Sequence, residues 1–184
     1  PDLAFLLVAE ALRAGGWHRQ AVHLLEEARL ICGENSDAAV RLAYVYAESS
    51  SALAAAALFE ENSAMRPTLI PAASEQYRIA GHIPDALRLA ARIRDEKQRR
   101  TQLATIHLQA GAFDTAYTVL QPLISSERLG PQWRYRAAYA AFQAGRLDAA
   151  TRLLPKDGSA SPDTAAGKLR EAIAQCRKHP WTCW

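Results

Sequence analysis

The sequence is short of nearly everything that locks or breaks a chain. Its 184 residues include nine glycines, nine prolines, three cysteines and only four lysines. So little glycine and proline excludes a collagen-like or low-complexity chain. Three cysteines cannot frame a disulfide miniprotein. Cys32 stands alone, while Cys176 and Cys183 lie near the end, and no framework of spacings decides whether those two pair. No window holds 18 uncharged apolar residues, so no segment reads as a membrane span. Any membrane attachment would lie in flanking sequence, and a chain opening on Pro1 reads as a processed or excised piece.

Charge of one sign is scarce too. The net charge is +3, and 22 basic residues, 18 of them Arg, are interspersed with 19 acidic ones. That balance is too small to imply nucleic acid. The phosphate-cradling patterns G-x-x-x-x-G-K-[ST] and G-x-G-x-x-G are absent, as is the nucleophile elbow G-x-S-x-G. No two of His18, His23, His82, His107 and His179 lie at i, i+4, so no helical zinc site is expected. Cys176, His179 and Cys183 supply three possible ligands without a fourth. The adjacent acids Glu26-Glu27, Glu60-Glu61 and Asp95-Glu96 point different ways on helices and read as solvated surface. The chain is expected to be non-enzymatic, with no cofactor and no metal. What is abundant is alanine, 38 of 184 residues. Alanine is the best helix former and β-branched residues are few, so the fold class is all-α.

A repeat organises the helices. Ala80-Gly81-His82-Ile83-Pro84-Asp85-Ala86, Ala110-Gly111-Ala112-Phe113-Asp114-Thr115-Ala116 and Ala144-Gly145-Arg146-Leu147-Asp148-Ala149-Ala150 share Ala-Gly-x-apolar-x-x-Ala. A glycine can take the left-handed conformation that ends a helix. The small residue five positions on lets the next helix pack closely, giving a helical hairpin with a short loop. Gly16 with Ala21, and Ser50 with Ala55, repeat the spacing upstream. The five landmarks Gly16, Ser50, Gly81, Gly111 and Gly145 are separated by 34, 31, 30 and 34 residues.

In this register the chain resembles the tetratricopeptide repeat (TPR) family, whose pattern is W-x2-L-G-x2-Y, A-x3-F and P over 34 residues. The second copy matches best, with Leu42-Ala43, Tyr46, Ala55-x3-Phe59 and Pro67. The others offer Phe5, Val8-Ala9, Leu12, Ala21-x3-Leu25 and Ala28; Ile70, Ala73-Ser74, Tyr77 and Ala86-x3-Ala90; Leu103-Ala104, His107 and Ala116-x3-Leu120; and Ala137-Ala138, Ala141 and Ala150-x3-Leu154. Two repeats are short, Arg100 and Arg134 stand where an aromatic is usual, and the closing proline is mostly absent. The resemblance covers roughly residues 3–155. It implies a right-handed α-solenoid of about five TPR-like helical hairpins, with an α-solenoid of another repeat class as the alternative.

Helices are expected in pairs at 2–14 and 18–32, 36–48 and 51–65, 69–80 and 84–94, 96–110 and 114–126, 131–144 and 147–155. Ser36-Asp37 caps one start, and Pro84 and Pro131 suit first turns. Residues 1–155 then form the solenoid. Residues 156–178 hold a loop, from Lys156 to Ser161, and a capping helix opening at Ser161-Pro162-Asp163. That helix has an apolar stripe of Ala165, Ala166, Leu169, Ala172, Ile173 and Cys176, suited to covering the last repeat. Residues 179–184 are a tail without helical pattern.

The resemblance also implies a function: the first helix of each hairpin lines a concave groove that binds a protein partner, as a peptide or a helix. Carried over by position, the binding residues are Arg41, Tyr44, Glu75, Arg78, Arg136 and Tyr139. Glu48, Gln98, Thr105, Gln109 and Gln143 lie on the same faces. Arginine can clamp a carboxylate with two hydrogen bonds, and tyrosine offers stacking area at low entropy cost. A narrower likeness, in Tyr77-Arg78-Ile79-Ala80-Gly81 through Asp85-Ala86-Leu87-Arg88-Leu89, with Ala91-Arg92-Ile93-Arg94-Asp95 and Gln102-Leu103-Ala104, is to TPR regions of bacterial envelope proteins serving exopolysaccharide export. It would place the chain in the periplasm, before an outer-membrane barrel. The alternative is binding of an anionic polymer, RNA or acidic polysaccharide, by Arg92, Arg94, Lys97, Arg99 and Arg100.

Overall fold

The computed structural model describes residues 2–33, 36–127, 129–155, 164–179, 181 and 183, with Asp2 given by its backbone alone. All regular structure among them is helical. The chain divides into two compact units, Pro1–Arg94 and Asp95–Trp184. The first holds the hairpins α1 (Asp2–Ala14) with α2 (His18–Cys32), α3 (Asp37–Glu48) with α4 (Ala52–Asn62), and α5 (Ile70–Ile79) with α6 (Ile83–Ala90). A 3-10 turn, Pro67–Leu69, leads into α5. The second holds α7 (Glu96–Gln109) with α8 (Phe113–Ser125), α9 (Pro131–Gln143) with α10 (Leu147–Leu153), and then α11 (Ala165–Lys178).

Every hairpin turns by the same device. Gly16, Gly81, Gly111 and Gly145 have φ between 71° and 80°, and Ser50 reaches 62° in the glycine place. Only glycine enters this region without steric cost, so Ser50 holds a mildly strained backbone. The next residue donates its N–H five residues back: Trp17 to Leu12, Ser51 to Tyr46, His82 to Tyr77, Ala112 to His107 and Arg146 to Ala141, at 2.8–2.9 Å. These are Schellman caps, which satisfy the last carbonyls of the first helix. The acceptors are the residues standing at the tyrosine position of the repeat. The second helices start without a side-chain cap. Some first helices need one, because the chain enters them from a looser loop. Ser36 Oγ accepts from the Ala39 N–H at 3.3 Å, and Asp95 Oδ1 from the Gln98 N–H at 2.7 Å.

Small residues set the packing distance. Ala9, Ala43, Ser74, Ala104 and Ala138 on the first helices are no more than 1% exposed. Facing positions Ala21, Ala55, Ala86, Ala116 and Ala150 on the second helices are fully buried. Larger groups fill between them, chiefly Leu25, Leu42, Phe59 and Leu89 in the first unit and Leu120 and Leu123 in the second. In the third hairpin, buried Ser74 donates from Oγ to the Ala86 carbonyl at 2.9 Å, tying the two close-approach residues together.

The capping helix starts later than the sequence suggests. Thr164 is its N-cap, accepting from the Gly167 N–H at 3.1 Å. Ser161, Pro162 and Asp163, with the expected loop from Lys156 to Ser161, lie outside the described residues. Its buried face is Gly167, Leu169, Ile173 and Cys176, so Gly167 takes a deep place and Ala165 is exposed. Leu169 and Ile173 join Ala138, Ala141, Ala150 and Leu154 in one core. Cys176 is disulfide-bonded to Cys183, which returns the tail to this helix and answers the pairing left open by spacing.

Candidate functional site

The expected binding residues fall in both units. In the first unit, Arg41 and Tyr44 lie on α3, and Glu75 and Arg78 on α5. Tyr44 is 44% exposed, with its ring edge-on to buried Phe59 at 4.9 Å between centroids. Phe59 is the repeat's aromatic on α4, so the hairpin core itself sets the orientation of Tyr44. Arg41 reaches Glu10 at 3.4 Å. Glu10 also holds Arg13 at 2.5 Å, and Arg13 spans to Glu48 on α3 at 3.1 Å. Glu75 and Arg78 form a two-pronged pair at 2.5 and 2.8 Å.

Two of the three arginines expected to clamp a ligand carboxylate, Arg41 and Arg78, therefore already hold carboxylates of this chain. The hydrogen bond from Arg13, with its charge and that of Arg41, keeps the Glu10 carboxyl below its ordinary range. Glu75 raises the Arg78 guanidinium in turn, against the opposing effect of burial. The signal for this was present in the sequence. Glu10-x2-Arg13 and Glu75-x2-Arg78 occupy matching repeat positions at i, i+3, where opposite charges meet on a helix. Glu10 and Arg13 are not among the expected residues because the groove positions are carried over from the second copy onward.

In the second unit Tyr139 on α9 occupies the repeat position of Tyr44 and also meets a phenylalanine edge-on, Phe113 at 5.9 Å. Arg136 lies over the Trp133 ring at 4.7 Å, a cation–π contact within one helix. The Arg-rich run divides. Arg92 and Arg94 end the first unit, while Lys97, Arg99 and Arg100 begin α7 in the second. Arg100 is engaged by Glu96 at 3.0 Å and donates to the Val119 carbonyl.

A second set of polar contacts joins consecutive hairpins of the first unit. The Tyr46 hydroxyl donates to Glu26 at 2.5 Å, and Arg29 meets Glu61 at 3.3 Å. One repeat on, Tyr77 hydrogen-bonds Glu60, which Arg88 holds at 2.7 Å. Burial, then the carboxylate partner, pushes both tyrosines up to about 12. The Arg88 hydrogen bond, aided by Tyr77, holds Glu60 below its ordinary range. These contacts use the repeat's tyrosine and the residue after its A-x3-F phenylalanine place, so they belong to stacking. A carboxylate held ionised as Glu60 is makes a poor proton-transfer group near neutral pH. Burial also lowers the His107 imidazole. Among the described residues no three His, Cys, Asp or Glu side chains are grouped to hold a metal, and no helix is long and apolar enough to cross a membrane.

No protein-family model and no curated protein sequence matches the chain. Solved structures do. A tetratricopeptide repeat protein from Parabacteroides merdae superimposes with a TM-score of 0.64 at 18% identity, over 96% of this chain and 72% of that one. A Podospora anserina protein of nearly identical TPR-like repeats gives 0.63 at 17%, over 96% and 95%. A thermophilic TPR protein of Thermus thermophilus gives 0.51 at 22%, over 97% and 100%. At these identities the likeness is one of fold. The chain is an all-α repeat solenoid with the TPR fold.

Proposed function

We propose that this TPR-fold chain is a non-enzymatic scaffold that binds a protein partner, as an extended peptide or a helix, in the concave groove lined by its first helices. The observation that carries this reading is Tyr44. It is a half-exposed aromatic, fixed by Phe59, on a helix whose Arg41 is already held by Glu10 of α1. A large ring held in place offers contact area at little entropic cost. Because Arg41 and Arg78 are already held by carboxylates of this chain, the partner is recognised chiefly by apolar and hydrogen-bonding contact. Glu75, Arg78, Arg136 and Tyr139 extend the same reading to the other hairpins.

The finer setting in this proposal is a bacterial envelope or exopolysaccharide-secretion assembly. The Cys176–Cys183 disulfide supports it, since such bonds persist in oxidising compartments such as the periplasm. The alternative, binding of an anionic polymer by the Arg-rich run, is disfavoured by the engagement of Arg100 with Glu96 and Val119. Peptides selected from a display library against the whole chain test the proposal. Binding should survive high salt, fall about tenfold or more with Tyr44→Ala, as for an aromatic anchor, and weaken with Arg41, Arg78 and Arg136 all changed to alanine. Retention of RNA or acidic polysaccharide alone, and only at low salt, would sink the scaffold reading.

A further inference from the structure

The fifth hairpin is cut short where the others are filled. Seven residues beyond the small residue of each second helix stand Ala28, Asn62, Ile93 and Leu123, none more than 3% exposed. In the fifth hairpin that place falls on Asp157, outside the described residues. Helix α10 is the shortest of the second helices and stops at Leu153. Pro155 disfavours helical backbone at the residue before it, and Leu154 is extended, with ψ of 146°. At this end lies a cavity of about 760 Å³. Leu129 with the first turns of α9, the end of α10 and the start of α11 form its walls. These walls are internal to the second unit, between Leu129 and Ala166, with chain on both sides. The lining is aliphatic apart from Tyr135, Thr164 and two arginines, Arg134 and Arg152.

Both arginines lack the partners that their repeat counterparts have. Arg134 stands at the usually aromatic position, as Arg100 does one repeat earlier. Glu96, four residues before Arg100, holds it, whereas four residues before Arg134 is Gly130. Arg134 donates from Nε to the Leu129 carbonyl at 3.2 Å, which leaves its terminal nitrogens for another acceptor. Arg152 corresponds to Arg88, which Glu60 and Asp85 hold at 2.7 and 3.0 Å. At those two carboxylate positions stand Gln121 and Ala149. Among the described residues no carboxylate holds either arginine. Glu127 shares with both a side cavity of about 180 Å³ without pairing to them. On its other side Arg152 neighbours the Arg177–Asp148 pair, which is neutral by itself. Two guanidiniums against one carboxylate leave one positive charge.

We propose that this cavity binds a small aliphatic carboxylate, its chain against Leu129, Leu153, Leu154 and Pro155 and its head group between Arg134 and Arg152. A mostly apolar pocket of this size with a few convergent polar groups suits a small ligand. The planar guanidinium fork matches a carboxylate, and the single surplus charge favours a monoanion over a doubly charged phosphate. The site uses none of the residues proposed to line the groove, so either reading can fail without the other.

Calorimetry of the whole chain with decanoate, below its micellar range, tests this, and amide NMR locates the site. The expected result is one-to-one binding, with shifts centred on Tyr135, Leu153 and Ala166. Decan-1-ol should bind at least about tenfold more weakly. Arg152→Gln should weaken decanoate binding about tenfold, the scale of one hydrogen bond to a charged group. Ala165→Phe should abolish it by filling the cavity. Both residues are exposed, so both variants should keep the parent circular dichroism and melting temperature. Absence of saturable binding, equal binding of the alcohol, tighter binding of decyl phosphate, or no loss in either variant would each overturn the proposal. So would binding that emerges only after Asp157 and Asp163 are changed to asparagine, which would assign the arginines to acids of the chain itself.

Discussion

The two units hold their hairpins together by different means. In the first, polar bridges cross from hairpin to hairpin: Glu26 with Tyr46, Arg29 with Glu61, and Glu60 with Tyr77 and Arg88. In the second, α9 brings Ala138, Ala140 and Ala141 against a core that includes Ala116 and Ala150, and Ala137 against one that includes Leu120 and Leu123, all four alanines being fully buried. Here too ion pairs cross between successive elements, Arg146 with Asp114 and Arg177 with Asp148, but through carboxylates that lie at the solvent edge. Bridges of tyrosine and carboxylate depend on protonation and tolerate changes of volume. Close alanine packing is indifferent to pH and has no room for an added methylene. The outer elements differ as well. In the second unit α11 covers the last hairpin, whereas α1 in the first unit leaves apolar positions open.

The sharpest way to break this comparison is at those outer elements. Ile173→Ala, at a 3% exposed site, should cost about 2–5 kcal/mol, while Val8→Ala should stay within about 0.5 kcal/mol. Urea unfolding of the two variants measures both. Equal losses would show that the open face of α1 is not open in solution. Next, Ala140→Leu should destabilise the second unit by about 1–3 kcal/mol through overpacking. Helix-resolved hydrogen exchange should place the loss in α9 and α10 and leave α1 to α6 unmoved.

Reduction of the Cys176–Cys183 bond should lower the stability of the second unit by about 2 kcal/mol, since it closes only a short loop. Exchange in α11 should rise with reductant and be unaffected by it once both cysteines are serine. The smallest effect belongs to the polar bridges. Tyr46→Phe and Tyr77→Phe should each cost about 1 kcal/mol at neutral pH. Their pH dependence sharpens the contrast. Both hydroxyls are pushed from an ordinary 10 up to about 12 in the folded chain. The unfolded chain then loses its protons first, so this stability is complete below about pH 10 and is lost as pH rises toward about 12. The phenylalanine variants should lack that alkaline loss. An unchanged alkaline profile would show that the tyrosine bridges do not form.

Much of the architecture was legible because its causes are local. Gly16, Gly81, Gly111 and Gly145 take the left-handed turn that their spacing implied, and Ser50 follows them despite its side chain. Helices α1 and α2 span the expected residues, and most other ends fall within a few positions, since caps and glycines are short-range signals. The capping helix was harder. Glycine lowers helix propensity, so nothing in the sequence marked Gly167 for a buried place, and only the fit against the preceding hairpin puts it there. The candidate site was legible as positions and not as chemistry. Tyr44 and Tyr139 could be placed on one repeat position, but the packing of Tyr44 on Phe59 and of Tyr139 on Phe113 comes from differently placed partners.

By itself, then, the sequence determined the helical class, the repeat register and the small residues that bring helices together. Each of these rests on propensity and on periodicity along one chain. Tertiary structure alone decided that Arg13 reaches Glu48 and Arg41 reaches Glu10, that Cys176 and Cys183 meet, and that Val8 stays open where Leu42 is closed. Those outcomes depend on which side chains stacking brings within a few ångströms, a distance that no spacing along the chain can express.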